Sequence, residues 1–355
     1  MGGGAHPELR RGRGAQFFRE PNRESKANSR QKSGRLMETF SAPLGAKQGN
    51  SVYFCLIGHR IVQHRPEIRL MRRLGCVFCL LLAMAGCHSH KAEKIERLLV
   101  LADESLARGR ADEAIISAEK AIGVDPSSFM AYLYRGRTEA ILRKNDAALA
   151  DFSKAIELNN RCAEAYDERG DLYFRLARID NALADYDRFI RLRPRLAADH
   201  WRRGLANYYA GRYEEGAKQF EDGAKSKPGD MENALWRFLC IARLSGLEKA
   251  RATMPPPVND LRVPMSELYQ RYVGKAKPEE VLATATHLGN PKGDELKNRL
   301  YAAHLYLGLY DEVAGKPQES FEEIRQAAHD FSRLDFMGDL ARVHVQVRSQ
   351  QASAR

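Results

Sequence analysis

The sequence predicts an all-α protein in which pairs of antiparallel helices stack one after another. A pattern of 34 residues repeats without insertion through 129–230, and four positions of the repeat hold the same kind of residue each time. Two positions of the repeat hold small residues: Gly136, Gly170 and Gly204 at one, and Ala148, Ala182 and Gly216 at the other. A third position holds an aromatic residue (Phe152, Tyr186, Phe220), and a fourth holds a residue that ends a helix (Pro126, Asn160, Pro194, Pro228). Helices cross closely only where side chains are small, and a large ring fills the space between repeats. These observations predict helix hairpins.

Four consecutive repeats follow from the period: 95–128, 129–162, 163–196 and 197–230. The first repeat is degenerate, because Ala118 stands where the other repeats have an aromatic ring. An end repeat leaves one face uncovered, so such a departure is expected there.

Residues 231–300 interrupt the period and are predicted to form an irregular helical insert. An apolar helix is expected from Met231 to about Arg243, with a shorter helix after Ser245 and Gly246. Three consecutive prolines then break the array, since proline cannot continue a helix. Two further short helices are predicted at 265–274 and 278–287.

The periodic pattern returns at 301–334, which is predicted to be a fifth repeat. Gly308 and Ile324 fall at the small and aromatic phases of the earlier repeats. A helix over 335–347 is expected to cap the last apolar face, and 348–355 to form a flexible polar tail.

The net charge of +11 does not indicate nucleic-acid binding, because it is concentrated near the N-terminus. Residues 1–70 carry 13 Lys and Arg against 5 Asp and Glu, and Arg72 and Arg73 follow. From residue 88 onward, 42 basic residues face 41 acidic ones. No basic stripe remains to follow a phosphate backbone, so a nucleic-acid partner is excluded.

Six cysteines are too few and too irregularly spaced for a disulfide framework or a zinc site. Cys162 and Cys240 are expected to pack as small hydrophobic residues. Nucleophile elbows, HExxH and phosphate-binding glycine loops do not occur in the sequence. The sequence therefore predicts a protein that is not an enzyme and that needs no metal or cofactor.

Residues 71–87 have the three parts of a secretory signal: Arg72 and Arg73, an apolar run over 74–86, and small residues before Cys87. The run is shorter than the ~20 residues that span a bilayer. Ala85-Gly86-Cys87 resembles a bacterial lipobox, so Cys87 is the expected lipidation site and 88–94 its tether. On this interpretation translation starts at Met71, and 1–70 is disordered, over-extended gene-model sequence. The alternative is a cytoplasmic protein with a basic N-terminal arm.

The period, with its small, aromatic and proline phases, resembles the tetratricopeptide repeat (TPR). The resemblance implies a right-handed superhelix in which the first helix of each repeat lines a concave groove. The residues predicted to face a partner there are Arg137, Glu164, Asp167, Asp171, Phe174, Trp201, Leu205, Tyr208 and Tyr209. Aromatic side chains beside charged ones are typical of protein and peptide recognition. The alternative is that Trp201 and Tyr208 pack against the chain's own helices and fill the groove.

Acidic side chains in the third repeat distinguish this groove from TPR clamps that hold a terminal carboxylate. Such clamps use Lys, Asn and Arg, whereas this groove offers Glu164, Asp167 and Asp171. Like charges repel, so a basic or an extended neutral segment is the predicted ligand.

The whole arrangement over about 71–345 resembles the new lipoprotein I type of periplasmic TPR lipoprotein. The stretch 200–213 carries this resemblance most clearly. It implies a scaffold, often dimeric, anchored to the outer membrane and facing the periplasm. Its implied partners are a periplasmic protease and cell-wall hydrolases, so that it regulates envelope turnover. A TPR lipoprotein that assists secretin or pilus assembly, and a cytoplasmic protein-binding module, are the alternatives.

Overall fold

A computed structural model describes residues 90–333 and 335–353 of the chain, and every regular element within these ranges is a helix. The predicted N-terminal extension 1–70, the signal segment 71–87 and the lipidation site Cys87 lie outside the described residues. From Glu93 onward the described residues belong to one compact unit.

Each of the four predicted consecutive repeats forms a pair of helices. They are α1 (90–107) and α2 (Ala111–Val124), α3 (Phe129–Ile141) and α4 (Asn145–Leu158), α5 (Ala163–Arg175) and α6 (Ile179–Leu192), α7 (Trp201–Tyr209) and α8 (Tyr213–Ser226). The all-α prediction is confirmed. The predicted tether 88–94 is wrong in part, because residues 90–94 form the first turn of α1. Lys and Glu favour helix in this turn, and Arg97 pairs with Glu93 at 2.6 Å.

Small residues bring the two helices of each hairpin together. A Cβ atom built on Gly136 would lie 2.9 Å from the ring of Phe152. The same construction on Gly170 gives 2.8 Å to Tyr186, and on Gly204 it gives 2.7 Å to Phe220. These distances are shorter than a van der Waals contact, so each ring occupies the space that a side chain would need. The sequence prediction of a small residue facing a ring is therefore confirmed.

An ion pair repeats with the same spacing across two hairpins. Arg135 Nε lies 2.7 Å from Asp151, and Arg169 Nε lies 2.8 Å from Asp185. Both carboxylates are buried and accept two hydrogen bonds from the guanidinium group. Each pair ties the first helix of its hairpin to the second.

The first helix of the fourth repeat begins at Trp201 rather than at 197, where the period places the repeat boundary. Pro194–Leu196 form a short 3-10 helix, and the next residues turn before α7 starts. His200 caps α7, since its ring accepts a hydrogen bond of 3.2 Å from the backbone N–H of Arg203.

The insert has its helices where the sequence predicts them. Helix α9 (Met231–Ala252) is interrupted at Gly246, which adopts φ 83°. Helices α10 (Met265–Tyr272) and α11 (Pro278–His287) follow. A left-handed φ is readily adopted only by glycine, which explains why the long apolar segment bends there.

Helices α12 (Gly293–Val313) and α13 (Pro317–His329) form the last hairpin. Helix α12 starts well before the predicted boundary at 301. A Cβ on Gly308 would lie 2.7 Å from Ile324, so this hairpin repeats the earlier crossing.

Helix α14 (Phe336–Ser353) ends the described chain. It packs against α13 and also against α5. The predicted flexible tail 348–355 is wrong for residues 348–353, which continue the helix. Val347 is buried and Arg348 reaches Glu312, so the end of α14 has partners that hold it.

Candidate protein-binding face

The residues predicted to line the groove lie on α3, α5 and α7, and we call their shared surface the groove face. Helix α14 covers much of it. The Phe336 ring stacks on Phe174 at 5.2 Å between centroids and meets Trp201 edge-on at 5.3 Å. Further along, Tyr209 Oη lies 3.3 Å from His344 Nδ1. The chain's own last helix therefore occupies this part of the groove face.

Four of the residues predicted to line the groove are buried beneath the chain's own helices. Phe174 and Tyr208 are 0% exposed, Leu205 1% and Tyr209 2%. The expectation that these four side chains are open to a partner is corrected, because they form part of the core. Of the two residues in the alternative of a filled groove, Tyr208 is buried as that alternative predicts, against Trp236 of α9 and also against Glu312 of α12 and Arg348 of α14. Trp201 stays partly exposed beside Phe336.

Glu312 on α12 binds both α14 and the fourth repeat. Its carboxylate lies 2.5 Å from Arg243 Nη2 and 2.5 Å from Arg348 Nε, and Tyr208 Oη donates to it at 3.3 Å. Burial opposes ionisation of Glu312, yet the neighbouring His344, Arg348 and Arg243 lower its pKa to about 2. The network joins α7, α9, α12 and α14 through one carboxylate.

The predicted acidic patch is largely neutralised by the next repeat. Asp167 lies 2.8 Å from His200 Nε2 and 2.7 Å from Arg202 Nη2. Asp171 lies 3.1 Å from Arg202 Nε and accepts a hydrogen bond of 2.8 Å from Tyr186. Burial raises the pKa of Asp171 to about 8, against the attraction of Arg202. The expectation that these two carboxylates repel acidic ligands is therefore corrected.

Glu164 behaves differently, because it is exposed and forms an ion pair of 3.0 Å with Arg193. Arg137 is half-buried and pairs with Glu168 at 2.7 Å. Glu164 is the one exposed charged residue of the predicted set, and the role of Glu164 and Arg137 in partner binding stays a prediction.

A cleft of about 330 Å³ remains open beside α14, and we call it the repeat cleft. Helices α1, α3, α5 and the start of α14 form its walls. Its lining residues are Leu106, Arg137, Ala140, Ile141, Arg143, Glu168, Asp171, Arg175, Asp335, Phe336 and Asp339. Ile141 is 61% exposed at its edge, and the floor is a mixture of apolar and charged groups.

Residues 99–167 and 168–232 each match the family model of the tetratricopeptide repeat. Residues 99–232 form a TPR array. No curated protein matches the sequence. The family match agrees with the hairpin geometry, in which each glycine meets a ring at a fixed separation along the chain.

Several solved structures have a similar fold. A tetratricopeptide repeat protein from Parabacteroides merdae is 14% identical with a TM-score of 0.48, covering 71% of this chain and 98% of that one. MamA is 22% identical with a TM-score of 0.41, covering 45% and 87%. YrrB, described as a TPR protein with an unusual peptide-binding site, is 15% identical with a TM-score of 0.36, covering 64% and 97%. Assignment of the TPR array depends on the family match and the hairpin geometry.

Of the residues that line the repeat cleft, only Arg137 and Asp171 were predicted from the sequence as binding residues; the charged ones that were missed are Arg143, Glu168, Arg175, Asp335 and Asp339. Arg143 binds Asp339 of α14 at 2.8 Å. Positions lining a TPR groove give no indication of this contact, because it joins the second repeat to a helix far along the chain. Only a known path for α14 would have revealed it.

Cys162 and Cys240 are buried and unbridged, and burial raises the pKa of both thiols. Within residues 90–333 and 335–353, no group of three or more His, Cys, Asp or Glu is placed to hold a metal ion. In the same ranges, no helix has the length and apolar character needed to cross a membrane.

Proposed function

We propose that this chain is an adaptor that binds a segment of another protein in the repeat cleft. The observation that carries the proposal is the incomplete cover of the groove face. Helix α14 buries Phe174, Tyr208 and Tyr209, but it leaves a cleft of about 330 Å³ between α3, α5 and its own first turn. A concave site with an apolar edge and a few converging polar groups suits a short segment of a partner.

The TPR array supports this function, because stacked hairpins vary their surface side chains on a constant frame and use them to bind other proteins. The fold alone does not name a partner, so the proposal depends on the site.

An array of amidated peptides, probed with the purified full-length chain, tests the proposal. Bound peptides are measured again with an Ile141→Asp variant, which places a charge at the edge of the cleft. Leu244→Asp is the matched control, because Leu244 is 50% exposed and lies on α9, away from the cleft. We expect Ile141→Asp to weaken binding at least tenfold and Leu244→Asp to leave it unchanged. Equal effects of the two variants would place binding elsewhere.

We further propose that the adaptor is a lipoprotein of the outer membrane that faces the periplasm and regulates envelope proteolysis or cell-wall turnover. The support is the sequence of 71–87, with its basic start, apolar run and Ala-Gly before Cys87. Acyl chains on a cysteine add ~0.8 kcal/mol of membrane affinity for each buried methylene group.

Mass spectrometry of the mature N-terminus tests the anchor. A diacylated Cys87 as the first residue supports it, and a Cys87→Ala variant should then lose the lipid and leave the membrane fraction. An intact Met1 in the mature protein would instead support the cytoplasmic module. Co-purification of secretin or pilus components, rather than a protease and wall hydrolases, would favour the pilus-assembly alternative.

A further inference from the structure

Among the described residues, one arginine of the repeat cleft, Arg175, has no carboxylate within ion-pair distance. Arg175 Nη1 lies 3.5 Å from the backbone oxygen of Ala140, a distance at the limit of a hydrogen bond. Within the described residues, Arg175 forms no ion pair. Its side chain lines the cleft and is partly buried at the end of α5.

The neighbouring charges of the cleft are already paired with one another. Arg137 holds Glu168 at 2.7 Å, and Arg143 holds both oxygens of Asp339, at 3.0 and 2.8 Å. Asp335 contacts Arg333. Asp171, which also lines the cleft, lies 3.1 Å from Arg202 Nε. Each of these carboxylates has another arginine within ion-pair distance, so Arg175 is the arginine of the lining that has no such carboxylate among the described residues.

A guanidinium group taken partly out of water without a counter-ion is unfavourable, because it loses hydration and gains little attraction in return. Burial lowers the pKa of Arg175, with Asp339 opposing this and Arg143 adding repulsion. A carboxylate entering the cleft would restore the lost interactions and could accept two parallel hydrogen bonds from the planar group. Arg175 is therefore the group of the cleft that a ligand carboxylate would contact, in a lining that also holds Glu168, Asp171, Asp335 and Asp339.

The surroundings of Arg175 add an apolar requirement. Ile141 is 61% exposed at the edge of the cleft, and Leu106 and Phe336 also line it. A ligand that satisfies both features has a carboxylate next to an apolar side chain.

We propose that Arg175 binds a carboxylate of the partner segment, while an adjacent apolar side chain of that segment packs on Ile141. This inference rests on the proposed adaptor function and names the ligand class of the same cleft. It also replaces the basic or neutral ligand that the sequence predicts, because Asp167 and Asp171 are held by Arg202.

Three short peptides test the proposal by NMR titration against the full-length chain, with the Arg175 side-chain N–H signal as the probe. The first is acetyl-Gly-Leu-Glu-Leu-Gly-amide, and the second has Gln in place of Glu. The third has Gln and a free C-terminal carboxylate. Comparing it with the first shows whether Arg175 binds a Glu side chain or a chain terminus. We expect the Glu peptide to bind about tenfold more tightly than the Gln amide and to shift the Arg175 signal.

Variants then assign the effect to Arg175. Arg175→Gln should remove the preference for Glu over Gln, and Arg175→Lys should restore part of it. Arg178→Gln is the control, since Arg178 is exposed at the start of α6 and lies outside the lining of the cleft. Melting temperatures establish that each variant is folded before its affinity is measured.

Different failures contradict different proposals. Equal binding of the three peptides, or a preference for Glu that survives Arg175→Gln, would overturn the role of Arg175 and leave the adaptor function standing. Array peptides that are all insensitive to Ile141→Asp would instead overturn the proposed function. A preference for the third peptide alone would support Arg175 and assign the anion to a chain terminus.

Discussion

Replacing Gly170 with alanine measures how strongly the hairpins depend on close helix crossing. The added Cβ would lie 2.8 and 2.9 Å from two atoms of the Tyr186 ring. The position of that ring is fixed at its tip, because Tyr186 Oη donates to Asp171 at 2.8 Å. Overpacking of this kind costs about 1–3 kcal/mol, and alanine returns about 1 kcal/mol through its higher helix propensity. The difference between the two is a net destabilisation of about 0–2 kcal/mol.

Gly123→Ala is the matched control for the same chemical change. Gly123 lies in α2 with nothing within 4 Å of the added Cβ, so only the helix-propensity gain remains. Urea unfolding followed by circular dichroism should give opposite signs, with Gly170→Ala less stable than the parent and Gly123→Ala more stable by about 0.5–1 kcal/mol. If both variants were stabilised, the tight crossing of α5 and α6 would be refuted.

The remaining predictions concern the core and its pH dependence. Phe152→Ala removes a ring that is 0% exposed and should cost about 3–5 kcal/mol; an unchanged melting temperature would contradict the proposed repeat register. Burial lowers the pKa of His344 to about 4, although Glu312 opposes this, with Arg348 and Arg243 also facing the ring. The unfolded chain then binds a proton below pH 6.5 that the folded chain does not, so stability falls by up to about 3 kcal/mol as the pH drops toward 4. A His344→Gln variant should show a smaller fall between pH 7 and 4.5, and an identical fall would exclude His344 as its source.

Contacts within a hairpin could be predicted from the sequence because they repeat. Gly136 and Phe152, or Gly308 and Ile324, recur at one separation along the chain, and the period makes that separation visible. The position of α14 could not be predicted in this way. Its contact between Phe336 and Phe174 depends on the small rotations between successive hairpins, which accumulate along the array and have no marker in the sequence.

The net charge of the groove face is a second feature that could not be predicted from one repeat of the sequence. Asp167 and Asp171 look like an acidic surface when one repeat is considered alone, but Arg202 of the following repeat reaches both of them. In a stacked array each position has a neighbour about one period later, so the sign of a surface is set by adjacent repeats together. Helix α14 adds a further pair, because Asp339 binds Arg143. Arg175 contacts the backbone oxygen of Ala140 and, among the described residues, forms no ion pair. Within residues 90–333 and 335–353, an arginine without a carboxylate partner is therefore a property of the folded chain, and it is the feature that we propose a ligand completes.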